Sequence, residues 1–181
     1  MSAVTLAEAK THLNITATTN DTELQAFVDR AEAAIVKRCG PLVATSVTSR
    51  VRGGSSILAL PKTPVLSLTS ITPLDGTALT ASDYIVSTGG NVEGKTGVTF
   101  RSRWYDVAYS AGHGATAADV PADLKLAALE LVRHLWETQR GGSVRPGSRP
   151  SDAMSNTIPG AAYLFPFRVE QLMAPYVQVG I

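Results

Sequence analysis

The sequence has a single cysteine, Cys39, few aromatics (6%) and few charged residues (17%). One cysteine excludes an intramolecular disulfide framework. It lies on the apolar side of an expected helix, which reads as a small buried residue, not a nucleophile. No apolar run approaches the length of a membrane-spanning helix. The N-terminus has no basic segment followed by an apolar stretch, which predicts no secretory leader. The sequons at Asn14 and Asn20 then lack a secretory context, and the chain is expected to fold first in a cytoplasm. A net charge of +1 gives no overall bias toward nucleic acid or membrane surfaces. Acidic residues are, however, absent between Glu32 and Asp75, where Lys37, Arg38, Arg50, Arg52 and Lys62 fall. Between Glu137 and Asp152 only Arg140, Arg145 and Arg149 are charged. These are local positive faces or ordinary solvated side chains.

What is present suffices for a core: 181 residues, 44% of them hydrophobic. Thr5 with Glu8 forms a capping box for a short helix over 5–13. Asn20 with Glu23 repeats the signal for a helix over 21–39, whose Leu24, Phe27, Val28, Ala31, Ala34 and Ile35 share a face before Gly40-Pro41 ends it. Residues 42–112 turn to Thr, Ser and Val with Gly and Pro punctuation, predicting strands near 43–51, 56–60, 65–73, 83–87, 97–101 and 104–110, with Asp75-Gly76 as a hairpin signal. A third helix is expected over 121–139. Pro121 suits its first turn, and Leu124, Ala127, Ala128, Leu131, Leu135 and Trp136 form its apolar stripe before Gly141-Gly142. Residues 141–162 are rich in Gly, Ser, Pro and Arg and read as an extended arm. A short helix near 166–174 follows, closed by Pro175. This apolar element on a tether either docks on a partner or folds back on its own core. The expected class is α+β: an N-terminal helical hairpin, a small antiparallel β unit, one long amphipathic helix and a C-terminal arm with a short helix. The expected division is a body over 1–140, with the β insertion at 42–112, and an arm with a docking segment over 141–181.

Four patterns bear on chemistry. Gly89–Thr96 (GGNVEGKT) fits the phosphate-binding pattern G-x-x-x-x-G-K-[ST]. That geometry requires a helix to begin at the Lys-Thr. Here Gly97 and the strand-like Val98-Thr99-Phe100 follow, so a Gly-rich hairpin between strands explains the same letters. Glu130, His134 and Glu137 lie on neighbouring helical turns at metal-ligand spacing, without a second contributing cluster. His12 and His113 have no accompanying nucleophile motif, so neither is a catalytic candidate. Arg101, Arg103, Trp104 and Tyr105 join basic and aromatic residues, a pattern shared by single-strand binders and by ordinary edge strands. No catalytic, metal or cofactor-binding residues are expected.

The ordered set of segments resembles the tailed-bacteriophage head-tail connector proteins, also called head completion or adaptor proteins. The matching segments are VTLAEAKTHLNI, NDTELQAFVDRAEAAIVKRCG, LPKTPVLSLTSITPLDG, the DYIV strand, VAYSAG, VPADLKLAALELVRHLWETQRG and the closing FPFRVEQLMAPY. The resemblance implies a structural, non-enzymatic virion protein that forms a ring at the portal vertex, connects head to tail and continues the DNA channel. It implies as partners the portal protein, the next neck or tail-completion protein and further copies of this chain in a ring following the portal's twelvefold symmetry. DNA would pass without sequence-specific binding, and no membrane or cofactor is implied. The location would be the virion neck, with assembly in the host cytoplasm. By the same resemblance Arg145, Arg149, Phe165, Phe167, Arg168, Leu172 and Tyr176 would dock on the portal, and Leu124, Leu131, Leu135 and Trp136 would pack between subunits. Loops near Trp104 and at Gly89–Gly97 would face the channel or a neighbour. The residue-based alternatives are a nucleic-acid-binding module and a P-loop nucleotide-binding protein.

Overall fold

The computed structural model describes residues 2–97, 99–139 and 165–177. The fold is α+β, and its described residues separate into two compact units, one of residues 36–97 with 99–121 and one of residues 2–35 with 122–139 and 165–177. The expected boundary near residue 140 is therefore not where the compact units divide. The short C-terminal helix groups with the N-terminal helices and the long helix, and the β insertion forms a unit of its own.

In the helical unit, α1 (Leu6–Leu13) opens on the expected capping box: Thr5 Oγ1 accepts from Glu8 N at 3.2 Å, and Thr5 N donates to Glu8 Oε2 at 2.7 Å. The Thr5 backbone and hydroxyl hydrogen bonds hold the Glu8 carboxyl below its ordinary pKa. Asn14 closes the helix in the left-handed conformation (φ 54°). The chain before α1 is tied to α2 (Asp21–Cys39) by one carboxylate. Glu32 Oε1 accepts from Ala3 N at 2.8 Å, Val4 N at 2.7 Å and Ser2 Oγ at 2.8 Å. Leu24, Phe27, Val28, Ala31 and Ile35 of α2 are buried, as their spacing predicts. α3 (Ala122–Gln139) starts directly after Pro121 and buries Leu124, Ala127, Ala128, Leu131 and Val132. Both α1 and α4 (Phe167–Met173) pack on α3. A 3-10 turn, Ala174–Tyr176, follows α4.

The β unit contains two three-stranded antiparallel sheets. The larger, in order β1–β6–β3, joins β1 (Thr45–Arg52), β6 (Trp104–Ala111) and β3 (Val65–Pro73). The smaller, in order β2–β5–β4, joins β2 (Ile57–Ala59), β5 (Asn91–Gly94) and β4 (Tyr84–Val86). β6 alternates strictly: Tyr105, Val107, Tyr109 and Ala111 point inward and are buried, whereas the residues between them are exposed or half-buried. Leu58, Leu60, Val65, Ile71, Val92 and Phe100 complete this core. Asp75-Gly76 does turn the chain, bringing Leu79 N to Ile71 O at 2.8 Å.

The strand expected at 97–101 is replaced by β5, Asn91–Gly94. Phe100 is buried but outside any strand; it stacks on Tyr84 at 5.4 Å and meets Tyr105 edge-on at 5.5 Å. Its apolar character records burial of a ring, not strand pairing.

Just past β6 the backbone runs against the segment that leads into β1. Gly112 N donates to Pro64 O at 2.9 Å, and a Cβ at Gly112 would lie 2.7 Å from Ala44 N and 2.8 Å from the Val43 carbonyl carbon. Backbone atoms cannot swing aside as a side chain does. Gly112→Ala is expected to destabilise the β unit by about 2 kcal/mol, the range of a forced overpacking. Urea titration measures this, and a loss below about 0.5 kcal/mol, the level of an ordinary surface change, would show that the segment yields freely.

Candidate interaction surfaces

The long helix α3 is clad by its own chain. Leu124 is 0% and Leu131 6% exposed, so both serve the subunit's own core and neither is free to pack against a neighbouring subunit. Leu135 and Trp136 are half-buried, and the Trp136 ring meets Phe27 edge-on at 6.1 Å. Val132, buried at 1%, belongs to the same stripe and was missed by the sequence pattern.

The C-terminal helix α4 folds back on its own chain. Val169 and Met173, four residues apart, are both fully buried where α4 meets α3. Arg168 Nε lies 3.6 Å from Glu130 Oε1, with side-chain exposures of 66% and 17%. The segment's expected docking residues thus separate by face. Phe167 is 73% exposed, and Arg168 is exposed but tied to Glu130. Phe165, Leu172 and Tyr176 are half-buried. Arg145 and Arg149 lie outside the described residues. Val169 was not singled out in the sequence, although its i, i+4 spacing to Met173 was the available signal.

The patterns that suggested chemistry resolve structurally. Within the phosphate-loop look-alike, Asn91–Gly94 is the central strand of the smaller sheet, paired with β2 on one side and β4 on the other. Lys95-Thr96 forms a turn, not the start of a helix. Gly90 is needed for the turn before β5: its φ is 87°, and a Cβ there would lie 2.9 Å from Leu60 O. A strand through the middle of the motif turns successive N–H groups to opposite neighbours, so they cannot converge on one phosphate.

On α3, Glu130 pairs with Arg168 and Glu137 pairs with Arg133 at 2.8 Å, so the acidic partners of His134 are engaged elsewhere. Among the described residues no group of three His, Cys, Asp or Glu side chains is placed to hold a metal ion. The Nε2 atoms of His134 and His12 are buried without a hydrogen-bond partner among the described residues. Cys39 is buried, and desolvation raises its thiol pKa, which suits an inert core residue. His113 Nε2 lies 2.8 Å from the Cys39 carbonyl oxygen, tying the end of α2 to the loop after β6 within the β unit. A depression of ≈ 490 Å³ is lined by Leu6, Asp21, Thr22, Gln25, Ala26 and Asp29. Its two carboxylates are already engaged, Asp21 with Lys10 at 2.7 Å and Asp29 with Gln25 at 2.9 Å.

The basic–aromatic group is brought together at one end of the larger sheet. Arg52 stands directly opposite Trp104 on the neighbouring strand. Arg103 pairs with Asp75 at 2.9 Å and lies over the Tyr105 ring at 5.5 Å. Tyr105 itself is buried, so Trp104, 48% exposed, is the aromatic that faces solvent there.

A family model described as "Head completion protein" matches residues 3–146. Among curated proteins none matches. Among solved structures, the chain is similar to a chain of the "Neck of empty GTA particle computed with C6 symmetry", at 19% identity, covering 99% of this chain and 91% of that one, with a TM-score of 0.69. It is similar also to a chain of the "Neck of native GTA particle computed with C12 symmetry", at the same identity and coverage, with a TM-score of 0.67. At 19% identity these likenesses are of fold.

Proposed function

The chain belongs to the head completion protein family, and from that membership we propose how it works as a structural protein of the virion neck, at the junction of head and tail. The observation that carries this reading is the family match, which spans α1, α2, the whole β unit and α3. The role is one of binding and shape, without turnover. Copies assemble as a ring about the channel, between the portal protein and the next neck or tail-completion protein. The neck of a related particle computed with C12 symmetry supports a twelvefold arrangement. Heterologous contacts of this kind close only if the surfaces on the two sides of a subunit complement each other.

Burial redirects where those contacts lie. Leu124 and Leu131 are core residues, so the subunit contacts draw on exposed residues. On α4 the side free to dock on the portal carries Phe167 and Arg168, while Val169 and Met173 hold the helix in place. An exposed aromatic beside a cation is the composition of an interface anchor.

The test is head completion itself. DNA-filled heads made without this protein should gain tails when the purified chain is added, and failure to gain them would overturn the neck assignment. Phe167→Ala is expected to weaken association with portal-bearing heads by about 2 kcal/mol, roughly thirtyfold, and to leave the melting temperature unchanged. Quantitative co-sedimentation reads the first effect and calorimetry the second. Unaltered association would remove Phe167 from the docking surface.

A further inference from the structure

The outward face of the β1–β6–β3 sheet is built in cross-strand rows. Thr48, Ala108 and Ser70 form one; Arg50, Asp106 and Thr72 form the next. The last row sets Arg52 opposite Trp104, whose carbonyl accepts from Leu74 N at 3.1 Å. The face thus passes from small hydroxyl side chains to cations and an exposed ring. Its one carboxylate in these rows, Asp106, is held by Arg50 through two bonds of 2.8 and 3.1 Å.

Gly53 gathers further cations beside this end. Its N–H donates to Arg103 O at 2.8 Å, and a Cβ there would collide with Arg101 O. The backbones of Arg101 and Arg103 therefore abut the residue next to Arg52. Arg103 is paired with Asp75. Arg52 and Arg101 have no acidic partner among the described residues, and β1 lies within the stretch from Glu32 to Asp75 that has no acid. The surface offers guanidinium forks and hydroxyls, with its carboxylates neutralised.

We propose that this end of the sheet, centred on Arg52, Arg101 and Trp104, contacts the sugar–phosphate backbone of double-stranded DNA. Charge complementarity selects a polyanion, and forked guanidinium groups match phosphate oxygens. A single strand is held by stacking successive bases on several aromatics; among the described residues of this end Trp104 is the one exposed ring, because Tyr105 is buried. Among the described residues no helix stands at this end of the sheet to enter a groove, so the contact is to backbone and independent of sequence. The proposal rests on the neck reading for the source of the DNA, since a channel between head and tail is where a duplex would pass.

Fluorescence anisotropy with a labelled random-sequence duplex across a salt series tests it, using the full chain. The wild type should bind saturably at low salt, with affinity falling as salt rises. Arg52→Gln combined with Arg101→Gln should lower the slope of log affinity against log salt by about 1 per arginine, and Trp104→Ala should weaken binding at every salt concentration. Lys37→Gln removes one charge from exposed α2 surface and should leave the slope near that of the wild type. No binding by the wild type, an unchanged slope in the double variant, an equal loss in Lys37→Gln, or preference for a single strand of the same length would each overturn the proposal. The tail-attachment assay is scored in parallel. Tails joined by the wild type while duplex binding fails would sink this surface and leave the neck assignment standing; tails that never join would sink the neck assignment.

Discussion

Tyr109→Ala is expected to destabilise the β unit by about 3–5 kcal/mol, the range for removing a buried aromatic side chain. Tyr109 lies on β6, the central strand of the larger sheet, and is 1% exposed. Its ring stands between Val47 on β1 and Leu68 on β3 in the cross-strand register, so truncation opens a cavity shared by all three strands. Its hydroxyl also links separate segments: it lies 3.2 Å from Ser49 Oγ and accepts from Lys62 N at 3.2 Å. Tyr109→Phe keeps the ring and deletes only these bonds. It should cost about 1 kcal/mol, the net value of an ordinary intramolecular hydrogen bond. The gap between the two variants separates packing from hydrogen bonding at one position. The chain has two tryptophans, and Trp104 lies in the β unit while Trp136 lies in the helical one. Urea unfolding followed by Trp104 fluorescence in a Trp136→Phe background therefore reads the unit concerned. Equal losses for the two substitutions would show that the phenol hydroxyl, and not ring packing, dominates.

Elements announced by local chemistry were legible in the sequence. The Thr5–Glu8 box, the Asp21–Cys39 helix and the Ala122–Gln139 helix follow from caps and a 3.6-residue apolar period, which act through neighbours along the chain. Likewise β6 alternates as a half-buried strand should. What escaped depends on residues distant in sequence. β5 is made of Asn91, Val92, Glu93 and Gly94, of which only Val92 favours a strand, and the segment pairs because Val92 fills the core between β2 and β4. The direction taken by α4 was equally hidden. A short apolar helix after a Gly/Pro-rich stretch has the same pattern whether it meets a partner or its own α3, and only the burial of Val169 and Met173 decides. The expected subunit-packing residues show the same limit, since an amphipathic stripe does not record whether its cover is intramolecular. The basic–aromatic group was visible as letters, but the pairing of Arg52 with Trp104 crosses between strands far apart in sequence.

Met173→Ala is expected to release α4 from α3, with a loss of about 2–4 kcal/mol from the helical unit. Met173 is 0% exposed, and α4 is only 7 residues long. A helix this short does not persist in water on its own propensity, so its order comes from packing. The Arg168–Glu130 pair cannot replace the lost anchor: at 3.6 Å, with Arg168 largely exposed, it belongs to the surface class worth about 0–1 kcal/mol. Val169 remains as the second anchor, one turn earlier, so the expected outcome is fraying of α4 with the other helices still folded. Trypsin reports this directly, because cleavage after Arg168 should quicken at least tenfold if opening becomes easier by about 1.4 kcal/mol or more. Trp136 fluorescence in a Trp104→Phe background gives the accompanying change in unit stability. Unchanged cleavage with a loss below about 1 kcal/mol, under the range for a buried methionine, would mean that Met173 does not hold α4. The contrast with Phe167→Ala makes the pair informative. Phe167 is exposed and Met173 is buried on the same short helix, so one substitution should reduce docking at constant stability and the other should reduce stability first and docking as its consequence. A Met173→Ala chain that frays yet docks as tightly as the wild type would show that the portal selects an extended C-terminal segment, and the docking surface would then be the sequence of the segment, not the face of a preformed helix.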